Sequence, residues 1–293
     1  MFIIKKINCM ICLLLFVIIT SVNAFCNDDA INEWLSKQPI NLDEKCKNSG
    51  GTLMHIAASD GRLDVLKWLK NQGSNVNAKD NAGKTPAYFA KLHKYEQIMQ
   101  WFADIYAVGA IIKFGDYDWR ILDVQDGKAL ILTEMILERV EYHNTDKPVT
   151  WSVSNLRKYL NGEFFQSFTQ ADRNRILDTN VVTGSNPWFR INGGAATTDK
   201  IFLLSLEEVV LYFGDSGKLK NRPNNNTYII DDQYNSSRIV YDKDEKASWW
   251  WLRSPGEYTT YAAFVYFDGC VYVCGNSALD FYFGVRPALW IAL

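Results

Sequence analysis

Side chains able to do chemistry are few and scattered in this chain. Cys270 and Cys274 stand four residues apart near its end. Thiols spaced in that way on one strand face suit a soft metal such as copper, or a redox pair. If Cys270–Cys274 is one strand, steps of about 3.3 Å put the Cα atoms about 13 Å apart, beyond the roughly 7 Å that a disulfide spans. Two buried free thiols are the plainer reading. His55, His93 and His143 are dispersed and show no metal-ligand spacing. Gly-x-Ser-x-Gly, phosphate-loop and dinucleotide patterns are missing. Gly214-Asp215-Ser216-Gly217 offers a serine in a Gly-flanked turn, but Lys218 follows it, and no His and Asp in suitable context accompany it. The expectation is a protein without catalysis, metal or cofactor.

The elements that carry these residues are bounded first by composition. At 293 residues, 48% hydrophobic, the chain suits about two domains, and its core needs no disulfides. A net charge of -2 provides no basic surface of the kind nucleic acid requires. Aromatic residues make up 14%, including ten Trp, which argues for large packed side chains and against disorder. Lys5 and Lys6, the apolar run Ile7–Thr20 and Val22-Asn23-Ala24 follow the order of a secretory signal, assigned to residues 1–24. The run is shorter than the roughly 20 residues of a membrane span. An exported protein, periplasmic or secreted, is expected, with an uncleaved anchor as the other outcome. No stable membrane span should remain after cleavage. Export into an oxidising compartment makes Cys26 and Cys46 a candidate disulfide.

One period is clear. Gly50-Gly51-Thr52-Leu53-Met54-His55-Ile56-Ala57-Ala58 returns 33 residues later as Gly83-Lys84-Thr85-Pro86-Ala87-Tyr88-Phe89-Ala90, and Val65-Leu66 returns as Ile98-Met99. Ala57 and Ala58 allow close helix approach. Gly61 separates that helix from a second one with Leu63, Val65, Leu66 and Leu69 on one stripe, and Gly73 ends it. Asp29–Lys45 reads as a degenerate half-repeat ahead of these. The pattern resembles the ankyrin repeat, with Leu53 in place of Pro and Tyr88 in place of His. That resemblance implies an all-α module over residues 25–106 and a protein partner held by Lys79, Asn81, Lys84, Tyr88 and Lys91. It also implies that His55 ties helix to turn. Having so few repeats, the module is expected to lean on the next domain through its last helix, Tyr95–Tyr106.

From residue 107 strands alternate with helices, giving an overall α+β fold. Trp119–Val124 and Lys128–Thr133 flank Gln125-Asp126-Gly127, a hairpin signal. Helices are expected over Ser154–Phe165 and over Gln170–Leu177 behind a Thr169 cap. Ile201–Leu204 reads as a buried strand, and Ser205-Leu206-Glu207-Glu208 as a capping box. Thr183–Lys200 and Asp215–Lys246 are long polar loops, a length usually tied to function or mobility. Alternation puts Val271 and Val273 opposite Cys270, Tyr272 and Cys274, and puts Phe281, Phe283 and Val285 opposite Asp280, Tyr282 and Arg286.

Trp249-Trp250-Trp251-Leu252-Arg253-Ser254-Pro255-Gly256 and Gly284-Val285-Arg286-Pro287-Ala288-Leu289, with Trp119–Asp123 and Leu156–Asn161, resemble a widespread bacterial domain of unknown function over residues 107–293. More distantly the domain is similar to the C-type-lectin-like fold in its formylglycine-generating-enzyme (sulfatase-modifying factor) branch. That likeness implies loop-borne recognition of a protein or a glycan. The candidate ligand residues are Arg253, Tyr258, Tyr261, Asn276, Asp280, Tyr282 and Arg286, with the two Arg also readable as structural partners of Asp268 or Asp280. Three functions stay open: an exported non-catalytic adaptor, an oxidoreductase-like enzyme using Cys270 and Cys274, and a structural envelope protein.

Overall fold

A computed structural model describes residues 42–224 and 226–293. The 1–24 signal, Cys26 and its pairing with Cys46, and most of the Asp29–Lys45 half-repeat lie outside the described residues. The chain divides into two compact units, one ending at Asp104 and the other covering Ile105–Leu293.

The first unit holds two helix pairs: α1 Leu53–Ser59 with α2 Leu63–Asn71, and α3 Pro86–Leu92 with α4 Glu96–Ile105. Thr52 and Thr85 sit at the N-caps of α1 and α3, and Pro86 takes the first position of α3, where its missing N–H costs nothing. Met54, Ala57, Ala58, Leu66, Leu69 and Ala90 form the dry seam between the pairs. His55 makes the expected tie. Its Nδ1 accepts from the Thr52 N–H at 3.0 Å, and its Nε2 lies 3.0 Å from the Lys84 carbonyl in the next turn. Asn81 fastens the turn tips, its backbone N–H donating to Ser49 O at 2.9 Å. Gly50 makes room for it, because a Cβ there would fall 2.2 Å from Asn81 Oδ1.

The second unit is mixed α+β. Among the described residues, β1 Ile111–Phe114, β2 Tyr117–Gln125, β3 Lys128–Thr133 and β12 Ala288–Ala292 form one antiparallel sheet in the order β1-β2-β3-β12. Gln125 pairs with Lys128 across Asp126 (φ 49°) and Gly127 (φ 72°), the positive pair that a two-residue hairpin turn demands. A second antiparallel sheet runs β6 Ile229–Ile230, β11 Val271–Ser277, β10 Tyr261–Val265, β9 Trp250–Pro255. Two-stranded ribbons β4 Thr179–Val181 with β5 Thr197–Asp199, and β7 Val240–Tyr241 with β8 Ala247–Ser248, complete the strands. The helices are α5 Asn155–Tyr159, preceded by a 3-10 turn Trp151–Val153 and extended by a π-helical turn Leu160–Phe164 and an α-helical turn Phe165–Ser167, then α6 Gln170–Arg173, α7 Leu206–Phe213 and α8 Asn235–Arg238.

Three expected elements are different in the structure. Ile201–Leu204 is wholly buried but is not a strand of either sheet. It runs between them: Phe202 exchanges backbone hydrogen bonds with Ala288, and Leu204 O accepts from the Arg253 N–H. Its apolar run reports burial, which a bridging segment shares with a central strand. The second helix stops at Arg173, short of Leu177, because Ile176 pairs with Ile291 and the Leu177 N–H donates to Trp290 O. Asp280–Arg286 is a loop: the Asp280 carboxylate takes the Tyr282 N–H in a local turn, and Phe281, expected with Phe283 and Val285, is 58% exposed.

The aromatic wealth fills this unit. Trp119, Trp151, Trp250 and Trp251 are fully buried, and each indole N–H finds an acceptor: Phe114 O, Asp199 Oδ2, Arg238 O and Val140 O. Trp251 stacks on Phe283 with centroids 4.0 Å apart.

Candidate functional site

The groups with the strongest chemistry are turned inward. Ser205 Oγ accepts the Glu208 N–H at 3.2 Å and Glu208 Oε2 accepts the Ser205 N–H at 3.0 Å, closing the capping box. The same carboxylate forks onto Arg253, whose Nη2 lies 2.7 Å from Oε1, while Nη1 and Nη2 also donate to Leu203 O and Val182 O. Arg253 is therefore a buried clamp from β9 to α7. Burial fits the structural one of its two expected readings, and the expected partner is corrected: the counter-ion is Glu208, neither Asp268 nor Asp280. Arg286 is corrected likewise. It is 3% exposed, donates from Nε to Thr133 O at 2.9 Å, and lies between the rings of Trp250 and Phe213 at 5.0 and 5.5 Å. Burial lowers its pKa to about 9, which leaves it cationic at neutral pH. Asp268 instead accepts the Cys270 N–H.

Cys270 and Cys274 are free thiols. Burial, then a hydrogen bond to Asp268, pushes Cys270 up to about 12; burial and the nearby Glu257 charge push Cys274 up to about 11. Both shifts run opposite to the lowered pKa of an activated nucleophilic cysteine. Ser216 donates to Asp232 at 2.6 Å and has no His beside it. His93 stacks on Tyr95, and His143 Nε2 meets Thr145 Oγ1. Among the described residues no three His, Cys, Asp or Glu side chains converge as a metal site.

The other five ligand candidates come together at one end of the second sheet. Tyr258 and Tyr261 meet edge to face at 5.0 Å in the β9–β10 turn. Tyr261 pairs with Ser277 and Ala262 with Asn276, carrying β10 to the end of β11. Asn276 Nδ2 donates to Asp280 Oδ2 at 3.2 Å, and the other Asp280 oxygen takes the Tyr282 N–H. Tyr258 is 56% exposed and Tyr282 58%. The rim thus presents aromatic faces beside carboxylate and amide groups, a mixture that gives area and hydrogen bonding at small entropy cost.

Sequence reading missed a cluster joining the two long loops. Arg222 lies 4.7 Å from the ring of Phe189, 5.1 Å from Trp188 and 5.8 Å from Tyr228, and Trp188 Nε1 donates to Leu219 O. Large aromatics inside otherwise polar loops were the signal available for it. Asn186, fully buried, anchors the first loop by donating to Pro255 O and Val273 O at 2.8 Å.

In the first unit, Lys79 and Asn81 stand on the exposed turn, where the Lys45 ammonium donates to Lys79 O. Lys84, Tyr88 and Lys91 belong to a different surface. The 33-residue equivalence maps His55 to Tyr88 and Ala58 to Lys91. His55 and Ala58 are 4% and 0% exposed beneath the following repeat, whereas Tyr88 is 42% exposed and Lys91 is in solvent. The five candidates are thus split between the turn tip and the open end of the stack.

Comparison with known proteins agrees with this division. Residues 54–103 match the family model described as ankyrin repeats (many copies). Protein phosphatase 1 regulatory subunit 12A of Homo sapiens is 46% identical over 54 residues, which is 18% of this chain and 5% of that protein. The Mus musculus protein is 43% identical over 58 residues, 20% of this chain and 6% of its own length. The chain therefore spans only about one-twentieth of these curated relatives. Neither family description names a catalytic activity, and no described helix is long and apolar enough to cross a membrane. Residues 126–293, more than half of the chain, match the model described as a domain of unknown function, DUF6273, and the chain belongs to that family, carrying ankyrin repeats ahead of the domain.

Proposed function

We propose that this protein is an exported, non-catalytic adaptor, periplasmic or secreted, whose ankyrin unit holds a protein partner. Its second unit serves as a C-type-lectin-like recognition domain for a protein or glycan. The observation that carries the reading is the contrast in the second unit between charged groups paired with one another inside the fold and exposed aromatic rings at one end of the second sheet. Arg253 pairs with Glu208 and Arg238 with Asp232, and burial raises the pKa of both thiols. At the rim the Tyr258 and Tyr282 rings are exposed, while Tyr261, Asn276 and Asp280 are half-buried and the Asn276 and Asp280 side chains bond to each other and to the Ser277 and Tyr282 N–H groups. Aromatic faces accept sugar rings and protein side chains alike.

The test is capture from an envelope extract by the full chain, compared with a Tyr258→Ala/Tyr282→Ala variant and an Asn81→Ala variant, with a glycan array alongside. Loss of a specific partner or glycan in the rim variant supports recognition by the second unit. Capture of nothing by the intact chain, or turnover abolished by Cys270→Ala, removes the adaptor reading.

A further inference from the structure

Position by position, the two ankyrin repeats differ most where the second repeat ends the stack. In the first repeat Met54, His55 and Ala58 are buried, α1 packs against α3, and His55 meets Phe89 and the Lys84 carbonyl of the next repeat. The equivalent positions of α3 carry Ala87, Tyr88 and Lys91, and α4 leads into β1 with no third repeat after it. A third repeat docked there would bury the Lys91 ammonium where Ala58 lies dry, at a cost of several kcal/mol without a counter-charge. The face therefore rejects a copy of the repeat and calls for a partner that supplies anions.

Its geometry is held in place. The Lys84 ammonium stands 4.5 Å over the Tyr88 ring, and Tyr88 abuts Phe89 edge-on at 5.5 Å. Phe89 in turn meets the His55 ring at 5.9 Å, and the Lys84 carbonyl is fixed by His55 Nε2. Tyr88 and Lys91 are three residues apart on one helix, hence on one face. Asp80 Oδ1 accepts the Ala82 and Lys84 N–H groups at 2.9 and 2.8 Å, and Asp80 forms no ion pair with either ammonium among the described residues. Among the described residues, neither Lys84 nor Lys91 is in an ion pair. Leu92, 59% exposed, follows on the same helix.

The geometry points to the open end of the ankyrin stack as the docking face for an acidic protein segment, its carboxylates on Lys84 and Lys91 and an apolar or aromatic side chain on Tyr88. This rests on the adaptor reading and names the chemistry of its partner.

The full chain would be titrated into a fluorescein-labelled peptide alternating Glu with Ala, and into the same peptide with Lys for Glu, at low and at physiological salt. Saturable binding of the acidic probe alone is expected, weakening as salt rises. Lys84→Gln/Lys91→Gln should weaken it at least tenfold with an unchanged melting temperature, and Lys84→Glu/Lys91→Glu should abolish it. Equal binding of both peptides, or an acidic probe indifferent to both double variants, overturns the proposal. So does concentration-dependent self-association of the chain that Tyr88→Ala removes, since the face would then seat a second copy. A partner captured from envelope extract by wild type and by Lys84→Gln/Lys91→Gln alike sinks this inference while leaving the adaptor reading intact.

Discussion

The two units hold themselves together by opposite means. In the ankyrin unit, the ties join neighbouring helices and turns and use small side chains and backbone groups: Ala57, Ala58 and Ala90 in the seam, and His55 and Asn81 between adjacent turns. In the second unit they are singular and long-range. Arg253 reaches 45 residues to Glu208, Tyr142 reaches 111 to Arg253 O, and Arg286 reaches 153 to Thr133 O. Losing a neutral tie costs little beyond that contact, whereas breaking a buried ion pair leaves its partner charge uncompensated. The largest effect should therefore fall on Glu208→Ala, which removes a helix cap and leaves Arg253 buried without its counter-ion. A loss of about 4 kcal/mol is expected from urea unfolding. Restoring most of it with Arg253→Met in the same chain would establish the clamp, and a loss under about 1 kcal/mol would break the contrast.

The next largest effect tests the seam. Ala58→Lys installs in the first repeat what the second repeat carries at Lys91, and buries the ammonium under α3. Destabilisation of about 3 kcal/mol is expected, visible as a lower melting temperature of the first unit. Below it comes Asn81→Ala, which keeps the backbone bond to Ser49 and loses only the 3.4 Å side-chain bond to Asn48 O and the packing against Gly50. About 1 kcal/mol should go, with faster amide exchange at the two turn tips.

The same contrast governs what was legible in the sequence. Repetition made the first unit readable: Gly50 with Gly83, Thr52 with Thr85 and Ala57 with Ala90 are local signals seen twice. Local signals in the second unit also came through, namely the Asp126-Gly127 turn and the Ser205–Glu208 box. What escaped were pairings that only tertiary structure decides. Glu208 looked complete as a cap, and nothing in its neighbourhood announced Arg253. Ile201–Leu204 is apolar because two sheets enclose it, and hydropathy does not distinguish a bridge from a strand. Tyr258, Tyr261, Asn276, Asp280 and Tyr282 were picked by residue type and lie together, whereas Arg253 and Arg286, open to a structural or a binding reading, are buried, and their partners Glu208 and Thr133 O lie too far along the chain to be read from it.

The smallest effect is the most pointed. Lys91→Ala reverses the substitution of the second prediction at the equivalent position 33 residues on. The side chain is exposed, forms no ion pair among the described residues, and stands on a helix that favours Ala at least as well as Lys. Its removal should change stability by no more than about 0.5 kcal/mol in either direction, read from the same urea transition. Equivalent positions would then differ severalfold in cost for the same pair of residues, Ala and Lys. The sequence period alone predicts equal costs, and only the presence of a following repeat makes them unequal. A large loss in Lys91→Ala would mean that the ammonium is already engaged, and the end of the stack would no longer be open.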